Sequence, residues 1–219
     1  AMKVTIFDDG RHSGPEVFDE PFEGGLVFVP GALLRSGGPG KPADWGEVVT
    51  TSDQIDQDAY DDLYARRLLP GFRWIEARAK ELGQPALVTV PGLGCGQFAG
   101  PFHGQLGARL ERALRRFLDH HGGKFPNIRT VIYDPYNECQ PDRAVHGGID
   151  FRLRPLTMGG KPQLSRPAVQ IEDAADREYL GACRLFSLVA WDHVSWPGND
   201  FYGGARATDD GVKAAATSA

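Results

Sequence analysis

Apolar residues fall along this chain in short blocks whose period switches between two and 3.6. Five runs, Val4–Phe7, Leu26–Val29, Ala86–Val90, Thr130–Tyr133 and Leu185–Trp191, have the length and composition of buried strands. Each gives way to polar, proline or glycine residues: "DDG", "PG", "PGLG", "DPYN" and "DHVSWPGND". Residues 57–69 place Tyr60, Leu63, Tyr64 and Leu68 on one helical face, and Pro70–Gly71 is expected to interrupt or kink that run. The period resumes at Phe72, Ile75, Ala79 and Leu82 and stops at Gly83, which suits a C-cap. Residues 103–121 align Leu106, Leu110, Leu114, Phe117 and Leu118, with Arg109, Glu111, Arg115 and Arg116 on the other side, and end at Gly122–Gly123. Residues 138–184 lack clear periodicity and read as a loop-rich excursion with one candidate strand, Ile149–Leu153.

Strands alternating with helices imply an α/β layer sandwich whose central sheet is buried on both faces. In such sheets ligands sit beyond the carboxyl ends of the strands, so all five polar exits are expected to border one crevice. No repeat, low-complexity run or shift in composition marks a boundary, and residues 1–219 are expected to form one domain.

Composition narrows the partners. With 41% hydrophobic and 24% charged residues the chain can bury a core, and its net charge of −5 argues against nucleic-acid binding, which needs a basic surface. No apolar run approaches the roughly 20 residues that span a bilayer, and no signal peptide opens the chain. Cys95, Cys139 and Cys183 are odd in number and far apart, which fits reduced thiols in a cytosol-like compartment rather than a disulfide framework or a zinc site. A secreted effector without a recognisable signal has the same pattern. The six histidines have no metal-binding spacing, and neither metal nor cofactor is expected.

The stretch "VTVPGLGCGQFAGPF", residues 88–102, runs from a strand into a glycine loop and then a helical segment. Gly92, Gly94, Gly96 and Gly100 allow backbone N–H groups to approach an anion, and a helix N-terminus adds a favourable dipole. A Rossmann fingerprint would need glycine where Gln97 stands, and the Gly-Lys-Ser/Thr triplet of a P-loop is absent. A tight strand–helix turn without a ligand is the alternative on these residues alone.

Pro91-Gly92-Leu93-Gly94-Cys95-Gly96, followed by Gln97 and Phe98, resembles the diphosphate loop of macrodomains, the family that binds ADP-ribose. A second resemblance lies in "GGARATDDGVKAAAT", residues 203–217, where Gly203 and Gly204 lead to Asp209, Asp210, a glycine and an alanine-rich stretch. That order is similar to the catalytic loop of macrodomain hydrolases, with Asp210 at the catalytic aspartate position. Asp209 and Asp210 also suit the first turn of a helix. The Asn-rich part of the usual macrodomain loop is replaced here by "WDHVSWPGND", and the two signature loops occur in the reverse of the usual order, as a circular permutation would produce. With Asp192, Asp200 and Asp210 spaced by eight and ten residues, the combination resembles the MavL-type branch of macrodomain hydrolases.

The resemblance implies a three-layer α/β/α sandwich with a mixed central sheet. It also implies an ADP-ribosyl hydrolase that removes mono-ADP-ribose from modified protein side chains, arginine first, with ubiquitin as one such protein. Gly92, Gly94, Cys95, Gly96, Gln97, Phe98, Gly203, Gly204 and Asp209 would hold diphosphate and ribose, and Asp192, Asp200 and Asp210 would carry the chemistry. For adenosine the remaining strand exits offer Phe7, Asp8, Tyr136 and Asn137. The partner would be ADP-ribose or an ADP-ribosylated protein, met as a monomer, with no role for nucleic acid or membrane. A non-catalytic ADP-ribose reader needs only the glycine loop, and a nucleotide-sugar or glycoside enzyme needs two of the aspartates facing each other across a sugar.

Overall fold

A computed structural model describes residues 1–8, 17–36, 40–135, 138–154 and 173–190, with only the backbone given for Phe7 and Asp8. Seven strands form one sheet: β1 (Met2–Asp8), β2 (Val17–Val29), β3 (Ala86–Pro91), β4 (Ile128–Asp134), β5 (Asp142–His146), β6 (Ile149–Leu153) and β7 (Arg184–Ala190). Their order across the sheet is β1-β2-β7-β3-β4-β6-β5. The five inner strands are parallel, while β1 and β5 pair antiparallel at the two edges. The helices are α1 (Trp45–Val48), α2 (Gln57–Leu82), α3 (Leu106–His121) and α4 (Ala174–Gly181). The sheet is mixed and carries helices, and the fold is an α/β sandwich.

The core has two faces because the inner strands are buried on both sides. α2 and α3 cover one face with Tyr60, Leu68, Phe72, Leu110, Leu114 and Phe117, all packed against Val88, Val90, Val131 and Phe151. The opposite face is smaller and joins Leu87, Ile132, Leu185 and Val189 to Leu180 of α4. Every residue of β3 is buried, which explains its unbroken apolar run. Its one polar side chain, Thr89, donates to the Ser187 hydroxyl at 2.8 Å.

α2 begins where the Asp56 carboxylate accepts from the amides of Asp58 and Ala59, and it ends at Gly83 with φ 64°. The expected interruption at Pro70–Gly71 does not occur, since one helix runs through both. Gly71 has a packing role instead: a Cβ there would stand 2.9 Å from Val27, so the glycine lets α2 lie close on β2. The predicted apolar face of α3 is buried, while its arginines tie it to α2. Asp61, buried on α2, accepts from Gln57 at 2.7 Å and meets Arg112 and Arg116 at 3.3 and 3.2 Å.

Two expectations change. The described residues within 138–184 hold more regular structure than expected, since β5 and β6 form a hairpin and α4 precedes β7. β5 escaped notice because it is a half-exposed edge strand with little alternation in "DRAVH". Second, the five strand exits do not share one edge. β1 runs antiparallel, with Met2 beside Leu26 and Asp8 beside Val17, so Phe7 and Asp8 lie at the opposite end of the sheet from Val29 and Pro91. Hydrophobic pattern alone does not give strand direction, and their nomination as adenosine contacts loses its geometric basis.

α4 is docked by ions as well as by Leu180. Arg152 forks onto Asp176 with two 3.0 Å hydrogen bonds, and Asp150 bonds both Arg143 and Arg152. Arg152 holds the Asp176 carboxyl below its ordinary value of 3.8, against the opposing effect of partial burial. A lowered folded pKa stabilises the fold above the unfolded value, and that contribution is lost as pH falls through the folded one. The urea midpoint of Asp176→Asn should therefore lie below wild type at neutral pH, and the gap should close as pH drops below 3.8.

Candidate functional site

Four of the predicted exits do meet. β2, β7, β3 and β4 end side by side, with Val29 opposite Ala190 and Pro91 opposite Asp134. At this edge the glycine loop leaves β3 in consecutive tight turns, where Leu93 N–H donates to the Pro91 carbonyl at 2.7 Å and Cys95 N–H to the Gly92 carbonyl at 3.0 Å. Gln97–Phe102 then form a short 3₁₀ segment before α3.

The loop packs back to back against the segment that leaves β2. A Cβ on Gly31 would stand 2.2 Å from the Gly94 nitrogen, and one on Gly94 would stand 2.6 Å from the Ala32 nitrogen. Gly94 also has φ +76°, a left-handed conformation that glycine adopts without strain. Leu34 N–H donates to the Phe98 carbonyl at 2.8 Å, and Arg35 donates to the Gln97 side chain at 2.6 Å. From below, Arg67 of α2 donates to the Gly31 carbonyl at 2.9 Å and to Asp44 at 2.7 Å, while Asp44 accepts from Leu33 N–H. Tyr64 lies fully buried between the two segments.

This geometry gives the nominated loop residues different environments. Gly94 and Cys95 are buried, Gly92 and Phe98 are half-buried, and Gly96 and Gln97 are exposed. The Cys95 amide is engaged within the turn, and burial pushes its thiol far above the ordinary range. Cys95 is therefore a packing residue whose thiol is not poised as a nucleophile. Cys139 is likewise pushed up to about 12, first by burial and then by Glu111. Among the described residues, no acceptor takes the amide N–H groups of Gly96, Gln97 and Phe98. Of these three residues Gly96 and Gln97 are exposed and Phe98 is half-buried, so the loop presents its candidate anion donors here.

The long helix does not supply the expected dipole. α3 begins at Leu106, beyond the 3₁₀ segment, and the Glu138 carboxylate already accepts from the Gly107 amide in its first turn at 2.7 Å. Tyr133 donates to the Gly107 carbonyl at 2.9 Å and fixes the same turn against β4.

Asp192, Asp200, Gly203, Gly204, Asp209 and Asp210 lie outside the described residues, as do Tyr136 and Asn137. Residues absent from the sequence-based selection stand beside the loop: Gly31, Arg35, Tyr64 and Asp134. Asp134 was visible only as the first letter of "DPYN", and Gly31 only as part of a strand exit. Among the described residues, no group of three His, Cys, Asp or Glu side chains is arranged to hold a metal ion, and no helix is long and apolar enough to cross a membrane.

The family described as macrodomain effector MavL matches residues 1–219, the whole of this chain. No curated protein matches it significantly.

Substituting Gly94 tests whether the loop depends on its close approach to Ala32. Gly94→Ala adds left-handed strain and a backbone clash and should cost at least about 2 kcal/mol. Gly46→Ala, in open space on α1, should change stability by less than about 1 kcal/mol. Urea melts of the two variants measure the difference.

Proposed function

The chain belongs to the MavL family of macrodomain effectors, and on that premise we propose that it is an ADP-ribosyl hydrolase. In this reading the loop Gly92–Phe98 grips the diphosphate of ADP-ribose, and the carboxylates of the tail act at the distal ribose. The supporting observation is the shared edge of the sheet. Open amides at Gly96–Phe98 follow β3, and β7, the strand beside it, ends at Ala190 and leads into the tail. Asp192 follows Ala190 by two residues in the sequence.

Division of labour follows from charge. Diphosphate needs donors, which the loop backbone supplies without a formal positive charge. Cleavage at the anomeric carbon passes through an oxocarbenium-like state, which nearby carboxylates stabilise. Asp210 is assigned the principal catalytic role, orienting water or moving a proton. Asp192 and Asp200 are assigned to the ribose hydroxyls or to a cationic leaving group. Arginine is the favoured linkage because its guanidinium stays charged and needs anionic partners. Ubiquitin is one modified protein on which to try it.

Grip and chemistry then separate on mutation. Asp210→Asn should lower kcat for release of ADP-ribose from an arginine-modified protein by about 10²–10⁴-fold. Its Kd for free ADP-ribose should stay within about threefold of wild type, because the diphosphate contacts remain. Tight ADP-ribose binding by the wild type with no turnover on arginine-, glutamate- or serine-linked substrates would make the protein a reader instead.

A further inference from the structure

Tyr64 reads in the sequence as one apolar position among several on α2, yet its hydroxyl joins the two strand exits that frame the glycine loop. It donates to the Leu93 carbonyl at 2.5 Å and accepts from the Ala32 amide at 3.0 Å. The same oxygen stands 3.0 Å from where a Cβ on Gly94 would lie, so it also fills the space that glycine leaves. The ring is fully buried, and burial raises its pKa well above the ordinary 10, keeping the hydroxyl a donor across the physiological range. One turn further along α2, Arg67 holds the Gly31 carbonyl, so two side chains of a single helix fix the segment Gly31–Leu33.

Without the hydroxyl the Ala32 amide must move or stay unsatisfied, and the Leu93 carbonyl keeps only the weak thiol donor of Cys95 at 3.7 Å. Both groups lie in backbone pressed against the loop. Leu93 is followed directly by Gly94, and Leu34, two residues after Ala32, bonds the Phe98 carbonyl. A shift at either group therefore changes where the Gly96–Phe98 amides point.

We propose that Tyr64, seconded by Arg67, is a positioning residue of the ligand site, and that its hydroxyl sets the loop geometry on which diphosphate affinity depends. This rests on the ADP-ribose reading above. The diphosphate is remote from the bond that breaks, so loss of its grip weakens ground state and transition state alike. Such a change raises KM and leaves kcat in place.

The test uses the full chain, with Tyr64→Phe beside Ile75→Val, a conservative truncation at a buried position of the same helix. For Tyr64→Phe, calorimetry with ADP-ribose should show Kd weakened by about tenfold, the scale of a buried group left unpaired. KM for hydrolysis should rise equally, with kcat within about twofold. Ile75→Val should change neither Kd nor KM, because a loss of stability alone lowers the folded fraction and hence apparent kcat. Unchanged Kd and KM in a folded Tyr64→Phe protein would overturn the inference while leaving the hydrolase reading intact. If Tyr64→Phe does not fold, Arg67→Gln decides: a raised KM supports the brace, and an unchanged KM overturns it. Failure of the wild type to bind ADP-ribose would show before any variant is made and would remove both readings together.

Discussion

Two backbone turns pressed together without side chains between them are the constraint on which this site depends. Gly31 and Gly94 approach so closely that a methyl group on either would enter the other segment. The contact is possible because parallel strands deliver both turns to the same edge of the sheet, and it persists because α2 supports it from beneath. Rigidity here has a chemical consequence. Amides held in fixed directions cost less to organise around an anion than amides on a free loop. The turns consume some of their own donors, at Leu93 and Cys95, while those of Gly96, Gln97 and Phe98 have no acceptor among the described residues.

Much of the fold was legible because its signals are local. An all-buried strand such as β3 shows as an unbroken apolar run, and α3 shows its buried face at helical spacing. Gly83 is a left-handed C-cap, as its place at the end of a periodic run implied. Strand direction was not legible, because alternation is the same read either way. The pairing of β1 against β2, fixed only by tertiary structure, moved Phe7 and Asp8 away from the glycine loop. α4 and β5 were missed for a different reason: both are short and mostly exposed, and α4 buries only Leu180 beside its ion pairs to Arg143 and Arg152.

The candidate site was legible in the same uneven way. The glycines announced a close approach, but the sequence could not say to what. Gly94 faces Ala32, some sixty residues earlier, whereas a Cβ on Gly96 would meet none of the described residues within 4 Å. The identity of the groups around the loop depends on such distant contacts. Tyr64 hydrogen-bonds residues 29 and 32 positions away, and nothing in its neighbourhood marks it as more than core. Cys95, which sits among the glycines, proves to face inward. The acidic tail was found only through its resemblance to a family pattern, since aspartates at intervals of eight and ten carry no geometry of their own.

The proposed activity requires one pocket that joins the glycine loop to the tail carboxylates. Backbone amide shifts of the 219-residue chain, followed by NMR during titration with ADP-ribose, test this most directly. The expected result is saturable movement of Gly96, Gln97 and Phe98 together with Asp192, Asp200 and Asp210, all with one dissociation constant, while Phe7 and Asp8 stay still. Shifts confined to the loop, or to the tail, or centred on the far end of the sheet would contradict it.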